Sequence, residues 1–437
     1  MDSQINFLYL RPIIFAFIIL VYSALFYSMI ICQYNSDFTS FYSSAIAATQ
    51  GNNPYEQMMS SFLPVEREIS INLNPPIILL LIHPLTYFSY PVALNIWLTL
   101  SIVFGLIGAW LAFSHTFSPS FIKNNWGNLY IGYLFLFSTL MCLSTAQIGA
   151  ILMICIMLGY HFYLKNHDYA AGVLWGFIIA LKFFPGLLFF YVLRQGRTRL
   201  FISMLVTVLV CFLIPLLVYG PLIYKQFYAG ISGISWYQNY WNASALGFIH
   251  RLFFALQLVD WIMPTYILIV SLSLLGYLWC LVPEKSYDGH HNHQPFCLTL
   301  VVMLVLSPLG WLYYFSILLF PLLLLWASIM KEKKEFSQSA RLWLISLFFL
   351  NFPTTELKSG YSGYDNNQIG LASFYFLGLV ILIYLLIVKK KDLPGNNNIV
   401  FNSTKNSFIV YTLIILGFSF IIPSTGILLR LSRACVY

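Results

Sequence analysis

The sequence predicts an all-α integral membrane protein that crosses the bilayer many times. Hydrophobic residues make up 60% of the 437 residues and charged residues only 8%, and the mean hydropathy is +0.80. A soluble protein carries about 25% charged residues. Repeated apolar runs are typical of membrane-spanning helices. We therefore expect a single transmembrane domain over residues 1–437.

The apolar runs predict about 11 to 13 transmembrane helices. The candidate spans are residues 12–33, 75–90, 91–114, 128–143, 149–164, 169–193, 200–219, 262–282, 296–310, 312–330, 341–352, 369–388 and 407–426. Several are short for a straight crossing, so some are expected to be broken, re-entrant or merged. No small-residue cleavage site follows the first span, which favours an uncleaved anchor over a signal peptide.

The basic residues predict which side of the membrane each loop faces, because cytoplasmic loops carry an excess of Lys and Arg. With the N-terminus in the cytoplasm, the cytoplasmic basic residues are Arg11, Arg194, Arg197, Arg199, Lys285, Lys331, Lys333, Lys334, Arg341, Lys389, Lys390, Lys391 and Lys405. The outside basic residues are Arg67, Lys123, Lys165, Lys225, Arg251, Lys358, Arg430 and Arg433. This orientation places segments 115–127 and 165–168 outside. The net charge of +8 then reflects topology rather than nucleic-acid binding.

Two long outside loops, residues 34–74 and 220–261, are expected to carry function, because loops of this length usually do. The first contains Asp37, one of only 14 acidic residues in the chain. Ser36 is predicted to cap a short amphipathic helix at the membrane surface, with Asp37 in its first turn. A carboxylate at a helix start is expected to stay ionised at neutral pH.

Two polar residues interrupt apolar segments in the middle of the chain. Lys182 lies inside the predicted span 169–193, where ionisable residues are rare and mark functional sites or partners. Pro185 is expected to break the helix beside it. Gln147 lies between two short predicted spans, where it either binds a ligand or joins two helices.

The second outside loop and a later break supply further polar and aromatic candidates. Asn242 and Ser244 are predicted to cap a helix that carries Arg251. The planar guanidinium of Arg251 suits a phosphate, and a headgroup anchor is the alternative. Residues 307–314, SPLGWLYY, separate two apolar runs. Their aromatic side chains either stack on a sugar ring or form an interfacial aromatic belt.

Several other kinds of site are disfavoured by the sequence. The 7 cysteines show no CxxC spacing, which favours buried apolar residues over disulfides or metal ligands. His290, His291 and His293 lie in a predicted cytoplasmic loop without a set of carboxylates, which favours a solvated loop. The sequence contains no phosphate-binding or hydrolase motif of the soluble enzymes. We therefore expect neither a metal nor a cofactor.

In chain order, these residues resemble glycosyltransferase family 87, the polyprenol-phosphate-mannose-dependent mannosyltransferases with the GT-C membrane fold. The resemblance spans residues 37–311. It depends on Asp37-Phe38 with Tyr42, Ala45 and residues 51–55; Asn74-Pro75-Pro76 with Pro84-Leu85; Gln147; Ala171-Gly172, Gly176, Lys182 and Pro185; Asn242, Ser244 and Arg251; and Ser307-Pro308 with Trp311. Two places depart from the family pattern: Tyr313 and Tyr314 stand where histidines are usual, and Ala243 stands where glutamine is usual.

The resemblance implies an inverting transferase with a GT-C-like bundle in a bacterial inner membrane. It implies transfer of a hexose, mannose by likeness, from a polyprenyl phosphate to a lipid or glycan acceptor on the extracytoplasmic face. Asp37 is the implied general base, and Lys182, Arg251 and Gln147 are the implied ligands of the donor phosphate and lipid. The implied substrate-binding residues are Tyr42, Tyr55, Asn74, Asn242, Ser244, Trp311, Tyr313 and Tyr314.

The competing prediction is a multi-span transporter or a lipid flippase for a glycolipid or an anionic solute. It explains the spans, the broken helices and the intramembrane Lys182. It explains less well a long outside loop that begins with a single carboxylate. A structural assembly protein would leave the polar residues inside the membrane unexplained.

Overall fold

The structure is a computed structural model that describes residues 2–31, 36–60, 62–63, 66–281, 292–334, 336–353, 370–389 and 406–434. Predicted features that lie outside the described residues are His290, His291 and the basic residues Lys285, Lys358, Lys390, Lys391 and Lys405. The described chain is almost entirely helical, which confirms the all-α prediction. Its strands are the two-residue pair β1 (Met58–Met59) and β2 (Glu68–Ile69), which run antiparallel.

The α helices of the described chain differ widely in length. In the first half they are α1 (Asp2–Ile31), α2 (Asp37–Thr49), α3 (Ile77–Ile82), α4 (Tyr90–Thr116), α5 (Pro119–Leu134), α6 (Phe137–Ser144), α7 (Gly149–Leu164), α8 (Asp168–Leu181), α9 (Leu187–Arg194) and α10 (Thr198–Tyr219). In the second half they are α11 (Leu222–Ser232), α12 (Ala245–Ala255), α13 (Ile262–Cys280), α14 (Gln294–Leu306), α15 (Leu319–Met330), α16 (Gln338–Leu350), α17 (Phe374–Val388) and α18 (Asn406–Ala434). Short 3₁₀ helices lie at His83–Tyr87, Phe184–Gly186, Val259–Trp261 and Leu312–Leu318.

Six helical segments of the described chain are long and apolar enough to cross a membrane, or up to seven if the bent pair α5–α6 is one span. The six are Pro12–Ile30, Tyr90–Thr116, Thr198–Tyr219, Val259–Cys280, Leu312–Met330 and Ser407–Gly426. The remaining apolar helices have only 10–17 residues. The prediction of a polytopic membrane protein is confirmed. The long helices are fewer than the predicted count because many apolar runs form short or broken helices.

Contacts between helix ends define one end of the bundle, which we call the histidine end. The ring of His115 lies 5.4 Å from the ring of His161 and 6.5 Å from that of His293, measured between centroids. Arg197 Nη2 forms an ion pair of 2.6 Å with Asp168 Oδ1. The histidine end therefore joins the turns between α4 and α5, between α7 and α8, and between α9 and α10.

The opposite end, which we call the Asp37 end, contains the two long loops of the predicted outside face. The backbone N–H of Asp37 donates to the carbonyl of Thr145 at 3.0 Å. The backbone N–H of Ala243 donates to the carbonyl of Gly310 at 2.9 Å. The start of α2, the turn between α6 and α7, and the irregular segments around residues 243 and 310 therefore lie together.

Residues 75–90 form no helix long enough to cross a membrane, which corrects the predicted span at this position. They form α3 and the 3₁₀ helix His83–Tyr87, which pack on α2 and are too short for the roughly 20 residues of a crossing. α4 begins beside α2, where Tyr90 Oη lies 2.7 Å from Thr39 Oγ1. Because α4 then runs to the histidine end, segments 115–127 and 165–168 lie opposite loop 34–74. The prediction that they share its face is therefore wrong.

Residues 168–194 form a hairpin that begins and ends at the histidine end, which corrects the prediction of one span over 169–193. Gly172 of α8 lies against Ser203 of α10, and Gly176 lies against Met204. α8 and α10 therefore run in the same direction, so the short α9 between them runs back. The helix break predicted beside Pro185 is present and forms the tip of this hairpin.

α2 has the predicted start and end, but it is enclosed by protein. Ser36 is its N-cap, and Gly51 follows it with a φ of +77°, a backbone conformation that favours glycine. Most of its side chains are buried. Phe38 stacks on Trp97 of α4 with a centroid distance of 5.4 Å. α2 is therefore packed against protein along most of its length, and its position at the membrane surface stays a prediction.

Candidate active site

Asp37 is held through both its backbone and its side chain by the turn between α6 and α7. Its N–H donates to the Thr145 carbonyl at 3.0 Å, and Gln147 Nε2 donates to its Oδ2 at 2.7 Å. Ala146 lies between them with a φ of +53°, which is uncommon outside glycine. Trp97 Nε1 donates to the Ala146 carbonyl at 2.8 Å. This turn therefore fixes the orientation of the carboxylate.

The environment of Asp37 acts on its pKa in two directions. Burial raises the pKa because it disfavours the charged carboxylate, and this is the largest effect. The hydrogen bond from Gln147 and the positive charge of Lys182 lower it. The net result is a pKa above the usual range of an aspartate. Burial therefore opposes the ionised state that we expected from the helix N-terminus.

Lys182 reaches the site from the tip of the α8–α9 hairpin. It follows the last residue of α8 with an extended backbone, φ −148° and ψ 132°. Its Nζ lies 5.6 Å from the centroid of the Tyr314 ring. That ring stacks on Phe184 with a centroid distance of 5.0 Å. The structure therefore brings together Lys182, Tyr314 and Asp37, which sequence analysis singled out separately.

Aromatic side chains extend the site from Tyr314 along the outer loops. Tyr313 meets Trp241 edge-to-face with a centroid distance of 5.4 Å and lies 6.2 Å from the ring of Trp311. The Trp311 ring lies 5.6 Å from that of Trp236. Asp37 acts electrostatically on both Tyr313 and Tyr314. The two tyrosines are therefore within the electrostatic reach of the Asp37 carboxylate.

Gly149 allows the beginning of α7 to approach the tyrosine segment. A Cβ at this position would lie 2.5 Å from the carbonyl oxygen of Tyr313 and 2.8 Å from Cys142 Sγ. Any larger residue would therefore push the tyrosine segment away from the turn that holds Asp37. Neither this role of Gly149 nor that of Trp97 was predictable from the sequence, because both contacts join residues that are far apart in the chain.

Asn242 and Ser244 organise the segment before Trp311. Asn242 Nδ2 donates to the carbonyls of Tyr237 and Pro308, both at 3.0 Å. Asn242 Oδ1 accepts from the N–H groups of Ser244 at 3.1 Å and Gly310 at 2.9 Å. Ser244 Oγ donates to the Pro308 carbonyl at 3.0 Å and caps α12, as predicted. Their contact with substrate stays a prediction.

Arg251 is buried behind the same loop, with 0% of its surface exposed. Its Nη1 donates to the carbonyls of Asn239 at 3.0 Å and Asn242 at 3.1 Å. Its Nε lies 3.3 Å from Ser373 Oγ. These bonds tie α12 to the loop that precedes it and to the segment before α17. Binding of the donor phosphate by Arg251 stays a prediction.

The predicted substrate residues in and after α2 hold its surroundings in place. Tyr42 Oη donates to the Phe88 carbonyl at 2.8 Å, and Tyr55 Oη donates to the Asn74 carbonyl at 3.1 Å. Asn74 Nδ2 donates to Asn72 Oδ1 at 2.8 Å. All three side chains are buried. Their contact with substrate also stays a prediction.

Comparison with known protein families identifies one to which the chain is similar. The chain matches the family model of glycosyltransferase family 87 over residues 72–308. The matched region contains Gln147, Lys182 and Arg251, and it begins after Asp37. No curated protein and no solved structure shows a significant match. Within the described residues, no group of three or more His, Cys, Asp or Glu side chains is placed to hold a metal ion.

Proposed function

This chain belongs to glycosyltransferase family 87 and is a membrane glycosyltransferase, and on that premise we propose that it takes a hexose from a polyprenyl-phosphate donor. The acceptor is a lipid or a glycan on the extracytoplasmic face, and mannose is the first sugar to test. The main support for the proposal is that Asp37, Gln147 and Lys182 lie at one end of the bundle. Gln147 donates a hydrogen bond to the Asp37 carboxylate, and the charge of Lys182 acts on it. A carboxylate can take the proton of the acceptor hydroxyl, and a nearby cation can stabilise the phosphate that leaves.

The proposed reaction is a direct displacement at the anomeric carbon, with inversion. The acceptor hydroxyl attacks this carbon while its proton passes to the carboxylate of Asp37. The bond between the anomeric carbon and the phosphate oxygen breaks, and polyprenyl phosphate leaves with the electron pair. No oxidant or reductant is needed. Asp37 accepts the proton in its ionised form, and the hydrogen bond from Gln147 and the charge of Lys182 both favour that form against the effect of burial.

Lys182 is the proposed cation for the departing phosphate. Its ammonium group lies at the tip of a hairpin that reaches toward Asp37 from the histidine end. A cation beside the developing charge stabilises the transition state without rearrangement. Arg251 is the second candidate, although it is buried and donates to the carbonyls of Asn239 and Asn242. Gln147 acts on the carboxylate in this proposal, rather than on the donor.

The distribution of basic residues supports an extracytoplasmic Asp37 end. In the described chain, the basic residues at the histidine end are Arg11, Lys123, Lys165, Arg194, Arg197, Arg199, Lys331, Lys333, Lys334, Arg341 and Lys389. Those at the Asp37 end are Arg67, Lys225, Arg251, Arg430 and Arg433. The sequence predicted Lys123 and Lys165 on the outside, but they lie at the histidine end. The excess of basic residues at that end is therefore larger than the sequence alone predicted.

A transfer assay with purified protein tests the proposal. Radiolabelled polyprenyl-phosphate hexoses and the corresponding nucleotide sugars are supplied in parallel, with membrane lipids and glycans as acceptors. We expect label to move only from the polyprenyl-phosphate donor, and Asp37→Asn serves as the inactive control. Transfer directly from a nucleotide sugar would contradict the proposed donor. Net movement of an unchanged glycolipid across a vesicle membrane would support the flippase prediction instead.

A further inference from the structure

A polar cavity of about 270 Å³ lies at the far end of α2 from Asp37. It is formed by the last turns of α2 and by the loop that leads into β1. Gln50, Asn52, Asn53 and Glu56 bring polar groups to its wall. None of these residues takes part in the reaction proposed above, so a ligand of this cavity would bind away from the reacting atoms.

The wall chemistry selects a neutral ligand with many hydroxyl groups. The amides of Gln50, Asn52 and Asn53 each both donate and accept hydrogen bonds, and Glu56 accepts them. The described residues that line the cavity include this one carboxylate and no Lys or Arg. A phosphate would meet repulsion there, because phosphate sites in proteins use cations. The cavity is therefore unsuited to the head of the donor.

An aromatic ring gives the cavity a fixed apolar face. Phe62 lines it, and its ring lies 4.9 Å from that of Tyr90 and 5.2 Å from that of Tyr42, between centroids. Such packing holds the ring in one place. Small-molecule sites combine apolar walls with a few directed polar groups, usually in about 300 Å³ or more. The volume of about 270 Å³ is slightly below that range, which suits one sugar unit better than a lipid chain.

We propose that this cavity binds a neutral sugar unit of the acceptor, remote from the hydroxyl that reacts. The inference rests on the proposed function and names its acceptor as an oligosaccharide. Asp37 and Gln50 stand at opposite ends of one helix, about 20 Å apart at 1.5 Å per residue. A single sugar cannot fill the cavity and reach Asp37, so the acceptor is a chain of several units. Binding energy from the remote unit favours long acceptors over short ones.

Binding is measured first, without catalysis, by saturation-transfer NMR on the full-length protein in nanodiscs. The probes are a mannose tetrasaccharide, a glucose tetrasaccharide, methyl mannoside, and the mannose tetrasaccharide carrying a phosphate. We expect a neutral tetrasaccharide to bind, and the phosphate to give no gain in affinity. Glu56→Ala and Gln50→Leu should each weaken binding about tenfold, because each loses hydrogen bonds to the sugar. Absence of binding for both neutral tetrasaccharides would overturn the proposal.

Two further variants separate the cavity from the rest of the site. Met59→Trp places a larger side chain at the exposed wall and should abolish binding. Thr49→Val, one residue before Gln50 and outside the wall, should leave binding unchanged. Equal affinity in Met59→Trp and the unmodified protein would place the sugar elsewhere and overturn the inference.

The same variants distinguish failure of this inference from failure of the proposed function. Asp37→Asn should keep the affinity for the tetrasaccharide while losing transfer. Glu56→Ala should raise the KM for a long acceptor with little change in kcat. Binding without any transfer in the unmodified protein would reject the proposed function and keep the cavity. Transfer with an unchanged acceptor KM in Glu56→Ala would reject the cavity and keep the function.

Discussion

Gln147 Nε2 donates a 2.7 Å hydrogen bond to Asp37 Oδ2, although the two residues are 110 positions apart in the chain. A carboxylate only accepts hydrogen bonds, so the amide nitrogen must be the atom that faces it. The bond is made to one carboxylate oxygen, and in the proposed reaction the other, Oδ1, takes the proton of the acceptor hydroxyl. Gln147 is therefore a positioning residue for the proposed base.

We expect Asp37→Asn to lower kcat by about a hundred- to ten-thousand-fold, the usual contribution of a general base. Asn keeps the size of the side chain, and the N-cap of α2 is Ser36, which the substitution leaves in place. Folding should therefore be nearly unchanged, as checked by thermal unfolding and by donor binding. Normal turnover in a well-folded Asp37→Asn preparation would show that Asp37 is not the base.

We expect Gln147→Leu to move the acidic limb of the kcat profile to higher pH. The hydrogen bond from Gln147 stabilises the carboxylate and lowers the pKa of Asp37, so its loss raises that pKa. The base is then protonated over more of the pH range. Hydrogen bonds to charged groups are among the stronger ones in proteins, so the move of the acidic limb to higher pH should be measurable. Gln226→Leu on α11 is the matched control, and an identical profile in both variants would refute the positioning role.

We expect Lys182→Met to weaken donor binding about ten- to a hundredfold, because the donor phosphate loses a charged hydrogen-bond partner. The affinity for a neutral acceptor should change little. Lys182→Arg should restore part of the donor affinity, since it keeps the charge. Lys225→Met, at an exposed position on α11 of the same end, is the control. Unchanged donor affinity in Lys182→Met would leave Lys182 with only its packing against Tyr314.

We expect an impermeant thiol reagent to label a cysteine at position 57 in intact cells. Cysteines at positions 124 and 165 should react only after the membrane is opened, because they lie at the histidine end. All three positions are exposed, so exposure itself does not distinguish them. The experiment needs a variant that lacks the native cysteines. Labelling of positions 124 and 57 from the same side would contradict the division of the chain into two ends.

Local features of the chain were predictable because they depend on neighbouring residues. Ser36 and Asp37 begin α2, Ser244 caps α12, and Pro185 marks the helix break beside Lys182. Each signal acts through the backbone within a turn or two, so it is readable without knowledge of the fold. The membrane class was predictable for a related reason, since composition alone reports how much of the chain avoids water.

The tertiary structure alone decided which apolar segments cross and what the polar residues touch. Hydropathy shows that residues 75–90 and 168–194 avoid water, but a buried protein face and a lipid face look the same in sequence. The structure packs the first segment on α2 and folds the second into a hairpin. Similarly, the contact of Gln147 with Asp37 joins residues far apart in the chain. Such contacts depend on how all the helices pack together, and this packing cannot be predicted from the pattern of neighbouring residues.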